Sequence, residues 1–62
     1  MSVNSQTPRD PVMLLSFINT QLRDYYESFN ELADALALDR KQTTEQLRSI
    51  GYEYDHATNQ FI

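Results

Sequence analysis

The sequence predicts one mainly α-helical domain of three short helices that ends in a small β-hairpin. Two helix-capping patterns, Ser28-Phe29-Asn30-Glu31 and Asp39 with Gln42, introduce short amphipathic segments in the second half of the chain. After Gly51 the apolar period changes from about 3.6 to 2, which is typical of a strand. A chain of 62 residues has room for one domain with a small core.

The first helix is predicted over residues 11–26. Asp10 is a favourable N-cap, and Pro11 has the fixed φ preferred at the first helical position. Apolar side chains then recur with helical spacing at Leu14, Leu15, Ile18, Leu22 and Tyr25. Residues 1–9 are polar and are predicted to form a disordered tail.

Met13 and Phe17 stand one turn apart on a second ridge of this helix, away from the centre of the main apolar stripe. Two interpretations are open. The domain could wrap the first helix more than half way round, or the ridge could be the interface of a homodimer, because exposed Met and Phe are enriched at interface centres.

The second helix is predicted over residues 29–37. Its capping box, formed by Ser28 and Glu31, satisfies backbone donors of the first turn. Leu32 and Leu36 share one face, and alanines on this helix allow a neighbouring helix to approach closely.

The third helix is predicted over residues 40–50, with Asp39 as its N-cap and Gly51 as a left-handed C-cap. Thr43, Leu47 and Ile50 form a thin inward line. The opposite face consists of Lys41, Thr44, Glu45 and Arg48.

The hairpin is predicted from strands at about 52–55 and 60–62, joined by a loop over 56–59. The last strand is expected to leave an open edge with which a second copy could pair. The four tyrosines, Tyr25, Tyr26, Tyr52 and Tyr54, either cover the small core or serve as an aromatic platform for a partner.

Charge gives two opposing indications about nucleic acid. Nine acidic and five basic residues give a net charge of −4, whereas phosphate-binding domains are usually basic. However, Arg40, Lys41 and Arg48 all fall within the third helix. Together with Thr44 they are the residues that would meet a DNA groove if this were a recognition helix.

Few catalytic arrangements can be built from these residues. The single histidine, His56, lies in the predicted hairpin loop, and no neighbouring nucleophile is indicated by the sequence. The chain has no cysteine and one glycine, which removes thiolate metal sites and glycine-rich phosphate loops. Glu53 and Asp55 share one strand face and are expected to be solvated. We therefore expect neither enzymatic activity nor a cofactor, a metal or a small-molecule substrate.

Three strings resemble a family of short bacterial proteins known as domain of unknown function 4250. They are Asp10-Pro11-Val12-Met13-Leu14-Leu15-Ser16, Leu22-Arg23-Asp24-Tyr25-Tyr26, and Ile50-Gly51-Tyr52-Glu53-Tyr54-Asp55 with Asn59-Gln60-Phe61. The resemblance implies a bacterial, cytoplasmic setting and carries no activity, ligand or catalytic residue.

A second, weaker resemblance is to winged helix-turn-helix domains. Ala33, Leu36 and Leu38 match the small and apolar positions around the turn, and Gly51 looks like the exit into a wing. Ala37 stands where glycine is common, and Thr43 and Gln46 stand where apolar residues are expected.

These observations favour a non-enzymatic binding module. Protein–protein interaction or self-association is the first hypothesis, because the chain is acidic and carries the Met13 and Phe17 ridge. The alternative is a DNA-binding regulator that uses the third helix.

Residues 1–9 have no signal-like apolar segment, and no apolar run is long enough to cross a membrane, so we expect a cytoplasmic location without membrane association.

Overall fold

A computed structural model describes residues 8–62 of the chain, and it confirms the predicted fold class. Three helices precede a two-stranded antiparallel hairpin. Their bounds are α1 (Pro11–Asp24), α2 (Phe29–Leu36), α3 (Arg40–Arg48), β1 (Tyr54–Asp55) and β2 (Gln60–Phe61). Most of the predicted tail, residues 1–7, lies outside the described residues.

The three predicted N-caps are confirmed. The Asp10 carboxylate accepts a hydrogen bond from the backbone N–H of the third helical residue, Met13, at 3.1 Å. Asp39 does the same for Gln42 at 3.1 Å. The Ser28 hydroxyl accepts from the N–H of Glu31 at 3.1 Å. Each cap satisfies a backbone donor that has no partner within its helix.

The first helix ends two residues earlier than its apolar spacing predicts, at Asp24. Tyr25 leaves the helical conformation with φ −129°, and its ring is 72% exposed, so its predicted place on the apolar stripe is wrong. The Asn59 side chain donates to the carbonyls of Leu22 and Tyr26, at 3.2 and 3.0 Å. The hairpin thereby supplies partners to carbonyls at the end of α1.

The second helix ends one residue before its predicted end and the third two residues before, and a left-handed residue follows each of them. Ala37, with φ 56°, ends α2, and the N–H of Leu38 returns to the carbonyl of Ala33 at 2.9 Å. Gly51, with φ 88°, has the predicted left-handed conformation, but it lies three residues beyond the last residue of α3, whose C-cap is Ser49 with a helical φ of −63°. The N–H of Tyr52 returns to the carbonyl of Leu47 at 3.0 Å. Both are Schellman-type ends.

The hairpin pairs Tyr54 with Phe61 and Asp55 with Gln60. Glu53 and Ile62 also exchange two backbone hydrogen bonds, at 3.0 and 2.9 Å, so the backbone pairing extends one pair beyond the assigned strands. Tyr52 falls outside both the strand and this pairing.

The expectation of an open edge on the last strand is wrong at Phe61. The Asn19 side chain accepts a hydrogen bond from the N–H of Phe61 at 2.8 Å and donates to its carbonyl at 3.0 Å. Because one amide occupies both groups, a second copy cannot pair there in the way that a strand would.

One core joins all five elements. Its buried members are Leu14, Ile18, Leu22, Phe29, Leu32, Leu47 and Phe61. The Phe61 ring is 1% exposed and lies 5.0 Å from the Phe29 ring and 5.4 Å from the Tyr54 ring, centroid to centroid. The hairpin therefore completes the core that the helices begin.

Candidate functional site

The four residues predicted to meet nucleic acid line one depression on the surface, which we call the α3 groove. It has a volume of about 420 Å3 and lies between the first turn of α2 and the outer face of α3. Its lining consists of Phe29, Arg40, Lys41, Thr44, Glu45 and Arg48. Because residues four apart lie on one helix face, Arg40, Thr44 and Arg48 form a single stripe.

Phe29 gives this groove a fixed apolar wall. Its side chain is only 6% exposed, and its ring packs against those of Tyr54 at 5.8 Å and Phe61 at 5.0 Å. The sequence pattern placed Phe29 at the start of α2 but gave no sign that it would face α3. Its position depends on how the helices pack.

The arginines of the α3 groove have acidic neighbours at its rim. A guanidinium nitrogen of Arg40 lies 3.5 Å from the Asp34 carboxylate, and one of Arg48 lies 3.5 Å from Glu53. All four side chains are more than half exposed, and exposed pairs of this kind contribute little to stability.

Lys41 is in a different situation from the two arginines. Within residues 8–62, no carboxylate lies within 4 Å of its ammonium group, so it forms no ion pair with Glu45, one turn along α3. The groove itself therefore contains three cations and one carboxylate, Glu45, although the whole chain has a net charge of −4.

The predicted ridge on α1 is only partly available. Met13 is 62% exposed, and the neighbouring Val12 is exposed to the same extent. Phe17, by contrast, is half-buried and packs against the core. The domain therefore covers the Phe17 end of the ridge, whereas Met13 at the other end stays exposed beside Val12.

Sequence reasoning missed two asparagines that fasten the hairpin to α1. Asn59 accepts a hydrogen bond from the Tyr54 hydroxyl at 2.6 Å while it donates to the carbonyl of Leu22 in α1 and to that of Tyr26 just beyond it. Asn19 binds both backbone groups of Phe61. The available signals were a mid-helix asparagine beside the apolar stripe and an asparagine in a turn, where left-handed φ is tolerated.

The tyrosines do not form one platform. Tyr54 is half-buried and hydrogen-bonded, and Tyr26 is half-buried against the core. Tyr25 and Tyr52 are exposed at 72% and 37%. The predicted structural role applies to the first two.

The acidic residues and the histidine of the hairpin each have a nearby partner. The Asp55 carboxylate accepts from the N–H and hydroxyl of Thr58, at 3.0 and 2.6 Å, which closes the turn. His56 is exposed, and its ring lies edge-on to that of Tyr54 with centroids 4.7 Å apart. Glu53 faces Arg48.

A second, more polar depression of about 490 Å3 lies between α1 and the hairpin loop, lined in part by Ser16, Thr20 and Gln60. The amides of Asn19 and Asn59 also line it, but both are hydrogen-bonded to the backbone. At its edge, hydrogen bonds from the Arg23 guanidinium lower the pKa of the Asp24 carboxyl below its ordinary value.

The structure is a three-helix domain closed by a C-terminal hairpin, with a groove on its third helix that has both apolar and cationic lining residues. The family model described as "Domain of unknown function (DUF4250)" matches residues 8–61, and the chain belongs to this family. Comparisons with curated proteins and with solved structures find no significant match.

Two further findings concern residues 8–62. No helix in this part of the chain is long and apolar enough to cross a membrane. In the same part, no three histidine or acidic side chains come together as a metal site.

Proposed function

We propose that this chain is a small protein-interaction module that self-associates through the exposed end of the α1 ridge. The observation that carries the proposal is the 62% exposure of both Val12 and Met13. Burying such side chains against a second copy removes apolar surface from water, which is the main favourable term in protein association.

Sedimentation equilibrium tests this proposal. We expect the apparent mass of the wild-type chain to rise with concentration and Met13→Ser to weaken dimerisation by at least about tenfold, since each dimer loses two buried methionines. Added salt should strengthen association, because it screens the repulsion between two chains of charge −4. Met13 is a better target than Phe17, whose replacement would also disturb the core.

Tyr25→Ser is the matched control, since it removes an exposed aromatic side chain just beyond the other end of α1. Its association should equal that of wild type. A wild-type chain that stays monomeric at millimolar concentration, or a Met13→Ser variant that associates equally well, contradicts the proposal.

DNA binding is the second candidate function. The gathering of Arg40, Lys41, Thr44 and Arg48 in one groove favours it. Three acidic side chains in or beside the groove, Asp34, Glu45 and Glu53, oppose it, because phosphates that follow the helix would approach them as well.

Salt dependence separates the two candidates. Duplex affinity should fall steeply with added salt, and Lys41→Gln should flatten that slope by about one unit. No binding to any duplex at low ionic strength removes this candidate.

We also propose that the chain is not an enzyme and acts in the cytoplasm. The local roles of Asp55 and the exposed position of His56 support the first statement. The absence of cysteine from the sequence fits a reducing compartment and supports the second.

A further inference from the structure

The α3 groove combines an apolar wall, Phe29, with three cations and one carboxylate, and this combination indicates what it can bind. The stripe from Arg40 to Arg48 spans eight helical steps, about 12 Å, which is the length of roughly four extended residues. Among the six described residues that line the groove, Phe29 is apolar and the other five are polar or charged. The aliphatic stems of long cationic side chains provide further apolar surface while their charged ends stay in water.

The Phe29 side chain is held in place without any ligand in the groove. Its ring is held by Tyr54 and Phe61 on the core side, so a ligand would not have to order it. A preformed wall lowers the entropic cost of binding an apolar side chain.

The charges in the groove are available to an incoming anion. Lys41 has no carboxylate within 4 Å among residues 8–62, and the pairs that Arg40 and Arg48 make with rim carboxylates are 3.5 Å long and exposed. Exposed pairs contribute about 0–1 kcal/mol, so a ligand carboxylate can compete with them.

The same charges distinguish a single carboxylate from a duplex. One carboxylate beside Lys41 meets the repulsion of Glu45 one turn away, whereas a line of phosphates along α3 would approach Glu45, Asp34 and Glu53 together. The net charge of −4 adds long-range repulsion for a polyanion and only a small penalty for a short, weakly charged segment.

We propose that the α3 groove binds a short acidic peptide segment of a partner protein. An apolar side chain of the segment lies against Phe29 and the stems of the α3 cations, and a neighbouring Asp or Glu pairs with Lys41. This inference builds on the proposed interaction role but uses a different surface from the α1 ridge.

A random peptide library displayed on phage identifies a probe without assuming its sequence. Selection on the full 62-residue chain, with Lys41→Glu as the counter-selection target, should enrich peptides that carry Asp or Glu next to Leu, Met or Phe. Enrichment of basic peptides, or no enrichment above an unrelated protein, overturns the proposal.

The most enriched peptide is then synthesised and titrated by calorimetry. We expect Lys41→Glu to weaken its binding roughly fivefold to tenfold. Arg23→Glu is the matched control, because it makes the same charge change at an exposed site that does not line the groove, and it should leave the affinity within about twofold. Circular dichroism verifies that both variants are folded.

Two changes to the peptide test the assigned contacts. Replacing its acidic residue by the amide should weaken binding to wild type, and replacing it by Lys should restore binding to Lys41→Glu. Affinity that does not depend on the acidic residue, equal losses in the Lys41 and Arg23 variants, or NMR shift changes at Met13 in place of Phe29 and Thr44 would each refute the proposal. A duplex that competes for the same residues with the salt slope of a phosphate ligand would also refute it.

The same variants distinguish failure of peptide binding at the α3 groove from failure of self-association at the α1 ridge. Met13→Ser should weaken association and leave peptide affinity unchanged, whereas Lys41→Glu should weaken peptide binding and leave the Met13-dependent association in place. Each proposal can therefore be rejected while the other stands.

Discussion

Asn59 joins three parts of the chain through one side chain. Its amide group donates to the carbonyls of Leu22 and Tyr26, and its carbonyl oxygen accepts from the Tyr54 hydroxyl, which in turn accepts from the N–H of Phe29 at 3.4 Å. Its backbone has φ 55°, a left-handed conformation that asparagine tolerates better than most residues.

Asn59→Ala should destabilise the domain by roughly 2–4 kcal/mol. It removes the amide donor of two part-buried carbonyls and the acceptor of the Tyr54 hydroxyl, and it places alanine at a strained φ. Asn59→Gly relieves the backbone strain alone and should recover about 1 kcal/mol of the loss. Urea denaturation measures both changes.

Tyr54→Phe removes only the hydroxyl that binds Asn59, so it should lower the free energy of unfolding by a smaller amount, about 1 kcal/mol. An Asn59→Ala midpoint within error of wild type would show that the network contributes nothing to stability.

Residue-scale features differ in how far the sequence revealed them. The Asp10, Ser28 and Asp39 caps were predicted because each acts on a backbone group three residues away. The hydrogen bonds of Asn19 to Phe61 join residues 42 positions apart, and no local pattern encodes them.

At the scale of the element, the residue that follows α2 is an alanine in a strained backbone conformation. Ala37 has φ 56°, a conformation that costs an L-residue about 1–2 kcal/mol. The same position in the helix-turn-helix pattern commonly holds glycine, which adopts it without strain. Two backbone hydrogen bonds hold Ala37 in place, from its own N–H and from that of Leu38.

Ala37→Gly should therefore stabilise the domain by about 0.5–1 kcal/mol, the difference between the relieved strain and the greater entropy of an unfolded glycine. Ala35→Gly is the matched control. It makes the same change at an exposed helical position of α2 and should destabilise by about 0.5–1 kcal/mol. Thermal or urea unfolding of the pair measures both, and equal signs would contradict the argument.

At the scale of the whole molecule, hairpin and helices depend on one another. Phe61 is 1% exposed and contacts the Phe29 and Tyr54 rings, so the last strand fills the centre of the helical core. A hairpin of this size is marginal by itself, and α2 and α3 have only eight and nine residues. None of these elements is expected to persist alone.

Phe61→Ala should unfold the helices as well as the hairpin, because its cost of about 3–5 kcal/mol approaches the whole stability of a small domain. Ile62→Ala, at the next residue and 58% exposed, should have little effect. Far-ultraviolet circular dichroism measures the loss of helix. Retention of native helicity in Phe61→Ala would show that the helices fold without the hairpin.

The sequence by itself determined the element order, the three helix starts, the left-handed turn at Gly51 after α3 and the outward face that carries Lys41, Thr44 and Arg48. Each of these depends on side-chain periodicity or on contacts within a few residues. Tertiary structure alone decided that Phe17 packs inward while Met13 stays exposed, that Asn19 and Asn59 fasten the hairpin, and that Phe29 forms a wall beside α3. The physical reason is that burial and hydrogen bonding between distant residues depend on how the elements pack, and a single chain's periodicity does not encode that arrangement.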